Sequence, residues 1–223
     1  MVKISWIILI KGEVKVGKSH LGMATPDSIM IDMTADSNAR AAAYNVYGNE
    51  MDERYFKIDE DADDLENIIE GTDAKVVCLD EGRNLRNAYA NRYLRIKKKE
   101  KVYPISEWAH VYGDIQNNLF RRWDGEKNFV ITQGMKDYRI YSPDEKREVV
   151  TGKRITDGLN ILPTLADVVL DVRVEKHKRR VRVQVNRFLD MGNDEVWVEY
   201  VNSIDDLFDK ICENSNFKRE MFV

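Results

Sequence analysis

Lys11 to His20 read KGEVKVGKSH, directly after the apolar run WIILI, and no other stretch restricts the possible folds as much. Residues 4–10 are short, continuous and β-branched, the pattern of a strand buried on both faces. Gly12, Gly17, Lys18 and Ser19 then satisfy G-x-x-x-x-G-K-[ST], and a short helix follows over about 18–24. A buried strand that feeds a glycine loop and then a helix opens an α/β unit built to meet phosphate. Glycines let backbone N–H groups close around phosphate oxygens, and the helix adds the positive end of its dipole. The sequence therefore predicts a nucleotide cradle of Gly12, Glu13, Val14, Lys15, Val16, Gly17, Lys18, Ser19 and His20. Lys18 would reach the β- and γ-phosphates, and Ser19 would ligate Mg2+.

The alternation continues downstream. SIMIDM, KVVCLD and NFVITQ read as further buried strands and RYFKI as another strand. Between them, SNARAAAYNVYG and DADDLENIIEG read as helices closed by Gly48 and Gly71, the second with acids at its start. A helix is expected over about 81–93. ISEWAHVYGDIQNNLFRRW places Ile105, Trp108, Val111, Tyr112, Ile115, Leu119 and Trp123 on one helical face. From Ala166 the pattern changes: ADVVLDVRVE and RRVRVQVNRF alternate apolar and charged residues, as half-exposed antiparallel strands do. EVWVEYV adds one more strand, and SIDDLFDKICEN a capped final helix. The fold class expected is α/β, a three-layer arrangement around a mainly parallel sheet with a C-terminal antiparallel extension. It reads as one domain over residues 1–223, with a core to about 172 and the hairpin and terminal helix over 173–223.

A phosphate cradle needs a carboxylate to hold the metal. KVVCLDE supplies Asp80 at the C-terminal end of a buried strand, where open α/β sheets place their ligands. Asp80 would hold Mg2+ through water, and Glu81 would polarise the attacking water. In FVITQG, Gln133 ends another buried strand and is placed to sense a γ-phosphate or orient water, with Thr132 as its helper. His20, His110 and His177 show no ligand spacing, so no zinc site is read. Cys78 and Cys212 are far apart in sequence. With no signal peptide read, they indicate a reducing, cytoplasmic compartment, the host cytoplasm if the source is viral. The longest apolar run falls far short of the roughly 20 residues a membrane helix needs.

These elements in this order resemble the RecA-like branch of P-loop ATPases. More narrowly, the chain is similar to small phage and archaeal-virus ATP-binding proteins of the AAA-domain type, some related to single-strand annealing recombinases. The stretches that carry the resemblance are ILIKGEVKVGKS, FKIDEDADDLENIIEG leading into KVVCLD, EWAHVYGDIQNNLFRRW before FVITQG, and LPTLADVVLDV. The resemblance implies a RecA-type core, ATP with Mg2+, and a homo-oligomer, ring or filament, with nucleotide at the subunit interface. RecA-like enzymes often carry a catalytic glutamate just after the second strand, but IMIDMTAD puts Thr34 near that position. The base is then Glu81, Asp36 or Asp32.

The net charge is −4, so any nucleic-acid surface has to be local. RYLRIKKKEK, from Arg92 to Lys101, carries six basic residues and one acid, with Tyr93 and Tyr103 flanking it. RVEKHKRRVRVQVNR, from Arg173 to Arg187, carries seven and one. Either island can meet a phosphate backbone without reading sequence, or can be a solvated helix end and a charged edge hairpin. The stretch after Gln133 reads as a long polar loop, in which Lys136, Arg139 and Arg154 are candidates for a finger onto a neighbour's γ-phosphate. The function expected is an Mg2+-dependent ATPase coupled to nucleic-acid work, recombination or annealing on single-stranded DNA. A viral genome-packaging motor of the HerA/FtsK type, a nucleotide-gated binding protein and a small kinase are the alternatives.

Overall fold

The central strands carry unbroken apolar runs, and the fold divides each run between two faces. In the computed structural model, which describes residues 4–34, 38–102, 105–142, 147–176, 178–188, 197–199, 204–213, 216 and 218–221, the chain is α/β. The order is β1 (Ile7–Gly12), α1 (Lys18–Met23), β2 (Ser28–Asp32), α2 (Asn38–Tyr47), α3 (Met51–Arg54), β3 (Tyr55–Lys57) and α4 (Ala62–Gly71). Then come β4 (Val76–Asp80), α5 (Gly82–Lys97), α6 (Ile105–Asp114), β5 (Asn128–Ser142) and β6 (Arg147–Asp157). The chain continues with α7 (Leu162–Leu165), β7 (Val168–Glu175), β8 (Lys178–Asn186), β9 (Trp197–Glu199) and α8 (Ile204–Glu213).

The described strands run β3-β2-β4-β5-β1-β7-β8-β9, with β6 paired to the outer half of β5. All pairs from β3 to β7 are parallel, and β7/β8, β8/β9 and β5/β6 are antiparallel. Because side chains alternate along a strand, Leu9, Ile31, Val77, Leu79 and Ile131 point to one side, where α4, α5 and α6 supply Leu65, Tyr89 and Val111. Ile8, Ile10, Met30, Cys78 and Val130 point to the other, where α1, α2 and α8 supply Leu21, Tyr47 and Phe208. A sheet buried on both faces explains the near-continuous apolar strands.

Several expectations change in the structure. ADVVLDVRVE is not a half-exposed antiparallel strand: β7 is buried from Val168 to Val172 and lies parallel to β1, antiparallel only to β8. The antiparallel extension therefore begins at β8. The stretch after Gln133 is not a loop but the arm β5–β6, whose pairs run from Gly134↔Asp157 to Ser142↔Arg147. Both of its faces meet solvent, so it lacks the apolar alternation that marks a half-buried strand. Past Asp114 the face-bearing helix widens into a π-helical segment, Ile115–Arg121, which brings Phe120 into the core beside Leu119. The helix expected to end near Tyr93 runs on to Lys97.

That extension accounts for the first basic island. Arg92 is ion-paired to Glu66 (2.7 Å), Asp114 (2.9 Å) and Asp63 (3.3 Å), and its guanidinium lies 4.6 Å from the Tyr89 ring centroid. Arg95 pairs with Asp61 and Asp63, and Lys99 with Glu107. Tyr93 stacks on His110; Tyr103 lies outside the described residues. In the second island Arg173 pairs with Asp171 (2.7 Å), Arg180 with Glu175 (3.8 Å) and Arg187 with Asp167 (3.6 Å). β8 is covered by β9, so it is not an edge strand. Removing Arg92 takes its cation from two carboxylates whose side chains are 13% and 30% exposed, leaving Glu66 with Arg122 and the Tyr89 hydroxyl and Asp114 with the Asn118 amide. Arg92→Ala is expected to cost about 3 kcal/mol in urea unfolding without a change in the denaturant slope. A loss below about 1 kcal/mol would show that this network is solvated surface charge.

Candidate functional site

The candidate site lies at the C-terminal ends of β1, β4 and β5. β1 stops at Gly12 because the chain there presses on β7: a Cβ would sit 2.4 Å from the Val172 carbonyl oxygen. Lys15 turns through φ 65° and Gly17, the N-cap of α1, through φ 94°. The second value belongs to the left-handed region that glycine tolerates. A cavity of about 430 Å3 opens over this turn. Val14, Lys15, Gly17, Lys18, Ser19 and His20 line one side of it; Thr34, Ala39, Ala42 and Asn45 line a second, and Asp80, Glu81 and Gly134 a third. The other three cradle residues face elsewhere. Gly12 backs on β7, Val16 is in the core, and the Glu13 carboxylate meets Arg154 of β6.

The polar groups are linked. Lys18 Nζ donates to the Gly12 (3.2 Å) and Glu13 (2.8 Å) carbonyl oxygens, and burial lowers its pKa against the pull of Glu81 and Asp80. Ser19 Oγ donates to Asp80 Oδ1 (2.8 Å), and Thr132 Oγ1 donates to the same oxygen (2.5 Å). Burial pushes the Asp80 carboxyl above the usual carboxylate range, and the two hydroxyls only partly oppose it. Glu81 follows with φ 70°, a conformation seldom adopted by a residue with a side chain. Its N–H donates to Thr132 Oγ1 (3.0 Å), and its Oε1 accepts from Gly134 N–H (3.0 Å). Burial raises this carboxyl too. The structure thus sets a cationic amine and a carboxylate on one cavity, beside a hydroxyl–carboxylate pair.

Thr132, read from the sequence only as a helper, is the β5 residue that bonds Asp80 and the Glu81 backbone. Side chains alternate on β5, so Thr132 faces Asp80 while Gln133 turns to the opposite side. There the Gln133 amide packs against Gly82 and Gly158, fully buried and with neither amide atom hydrogen-bonded, and it is not among the cavity-lining residues. The parity of the strand was the signal that separates the two. Asp32 is also accounted for. It is buried, accepts from the Thr34 N–H (2.7 Å), the Thr34 hydroxyl (2.5 Å) and the Tyr55 hydroxyl (2.5 Å), and is not among the cavity-lining residues. Asp36 lies outside the described residues, as does His177. Of the finger candidates, Lys136 pairs with Asp157 (2.9 Å) and Arg139 is exposed on the arm. Arg154 engages its own chain's Glu13.

Among the described residues no group of three or more His, Cys, Asp or Glu is placed to hold a metal ion. The Ser19 hydroxyl and the Asp80 carboxylate do fit Mg2+, a hard cation that keeps waters and takes its other oxygens from substrate phosphates. Cys78 is buried in β4 and Cys212 is half-buried on α8. No described helix is long and apolar enough to cross a membrane. The chain matches no known family model and no curated protein.

The buried charge at Asp80 has a measurable consequence. Its pKa is raised in the fold, so the folded state holds the extra proton between the ordinary carboxylate pKa and its own, and stability falls as pH rises through that window. Asp80→Asn keeps an oxygen acceptor for both hydroxyls and removes the charge. In chelator at pH 8 the variant is expected to gain about 1 kcal/mol, roughly 2–4 °C in Tm, over the parent. The gain should shrink as pH falls toward 4. A Tm series against pH that shows no gain, or a gain independent of pH, contradicts this picture.

Proposed function

We propose that the chain is an Mg2+-dependent nucleoside triphosphatase, ATP being the nucleotide, that couples hydrolysis to work on nucleic acid. One observation carries the reading: Lys18 and Ser19 open α1 while Asp80 accepts from Ser19 and Glu81 stands across the same cavity. Lys18 would exchange the Gly12 and Glu13 carbonyl oxygens for phosphate oxygens. Bound at Ser19 and Asp80, Mg2+ would supply positive charge to the phosphates. Thr132 fixes the Asp80 carboxylate and the Glu81 backbone together, so the metal-holding acid and the base move as one unit.

Glu81 is the better base of the two described candidates. Its carboxylate lines the cavity, is held through one oxygen by Gly134, and is raised toward the range in which a base works best. Asp32 is buried and does not line the cavity. The nucleic-acid half of the proposal rests on the resemblance and on the β5–β6 arm, which carries an exposed tyrosine, Tyr138, able to stack on a base, and an exposed arginine, Arg139. The two basic islands support it less than their composition suggested, because Arg92, Arg95, Lys99, Arg173, Arg180 and Arg187 are ion-paired within the chain.

Phosphate release from Mg2+-ATP tests the reading, alone and with single-stranded or duplex DNA. Lys18→Ala is expected to abolish turnover. Glu81→Gln should keep nucleotide affinity within about threefold and lower kcat by about 10²–10⁴. Stimulation by single strands supports annealing or recombination, and stimulation by duplex supports a packaging motor. Tight binding with no turnover in the parent protein leaves a nucleotide-gated binder. Turnover in Lys18→Ala equal to the parent's contradicts the site.

A further inference from the structure

We propose that Arg154 is a positioning residue for the phosphate loop, through which the β5–β6 arm sets the order of the nucleotide site; this rests on the reading of that site as a phosphate cradle. Arg154 reaches out of the arm and grips the carboxylate of Glu13, the residue after Gly12. It is itself braced within the arm, by the Met135 carbonyl (3.0 Å) and by Asp137 (3.5 Å). Glu13 is therefore held at two points: its carbonyl oxygen accepts from Lys18 and its carboxylate from Arg154.

The opposite wall of the cavity is tied to the same arm. Gly134, at its root, donates its N–H to Glu81. Asp157, the register partner of Gly134, pairs with Lys136 (2.9 Å) and with Arg83 (3.6 Å), two residues after Glu81. The arm thus touches the loop that would bind phosphate and the acid that would activate water. Beyond the root it stands in solvent: Tyr138, Ile140 and Val150 are 42%, 46% and 53% exposed. A hydrogen-bonded ladder whose root contacts both parts of the site links their positions.

A loop held in place before its ligand arrives loses less freedom on binding, and this favours affinity. Releasing Glu13 returns that cost. The charges alone predict something different. Removing Arg154 would leave an extra carboxylate near the phosphates and weaken binding, whereas neutralising Glu13 would free a cation and tighten it. Positioning predicts that both changes weaken binding.

Calorimetric titration of the full chain with Mg2+-ATP and with inorganic tripolyphosphate separates these. Arg154→Gln and Glu13→Gln are each expected to raise Kd about 5- to 10-fold for both ligands, and the double variant no more than either. KM should rise more than kcat falls. The exchanged pair Glu13→Arg with Arg154→Glu should recover most of the affinity. Tm should stay within about 2 °C, because a half-exposed ion pair contributes little to stability. Opposite signs for the two single variants, additive losses, unchanged Kd, or no recovery in the exchanged pair overturns the proposal while leaving the cradle intact. A parent protein that binds neither ligand overturns both.

Discussion

One oxygen, Asp80 Oδ1, ties together three elements of different chemistry. It accepts from Ser19 at the start of α1 and from Thr132 on β5, and it belongs to the last residue of β4. The strand between β1 and β4 is β5, so Asp80 and the phosphate loop are separated by the width of a strand. Thr132 fills that gap with a hydroxyl that bonds both Asp80 and the backbone of Glu81. Burying a carboxylate costs several kcal/mol even with partners. The fold carries this cost where a purely structural solution, an amide or an apolar residue, was chemically simple. A carboxylate kept in so buried a position makes Asp80 a candidate site residue.

The elements legible in the sequence are those whose pattern the core enforces. β1, β2, β4 and the inner half of β5 are buried on both faces, and each shows as an apolar run. The glycine turn was legible because two of its positions need glycine, Gly17 for its dihedral and Gly12 for the approach of Val172. The outer half of β5 and all of β6 were not legible. A ladder solvated on both faces obeys backbone hydrogen bonding alone and leaves no hydrophobic period. Only the S-P-D sequence at its tip hints at a turn. Gln133 and Thr132 were confused for a related reason. Both end the same apolar strand, and which of them meets Asp80 depends on parity relative to β4, a fact of register rather than composition.

Charge counts mislead for a different physical reason. The islands at 92–101 and 173–187 look like polyanion surfaces because the sequence windows leave out all but one of the acids that pair with them. Those acids come from elsewhere in the chain. Asp61, Asp63 and Glu66 lie on or beside α4 and Asp114 ends α6, while Asp171 faces Arg173 within β7 itself. α4, rich in acids at its N-terminus where its dipole favours them, is thereby also the electrostatic partner of α5. Basic residues that hold helices together are poor candidates for a polymer surface, since recruiting them to phosphate means breaking a packed network.

The same reasoning assigns a dual role to β5. Its inner half is a core strand whose alternation puts Ile131 on one face and Thr132 on the other. Its next residues leave the parallel sheet and pair only with β6. A slip of one residue would carry Thr132 away from Asp80 and detach Gly134 from Glu81 at once. Continuity of this strand therefore transfers any displacement of the arm into the register-sensitive contacts of the site. Gln133, unpartnered between those two contacts, is where the present arrangement is least satisfied. A buried amide without partners costs about 1–3 kcal/mol.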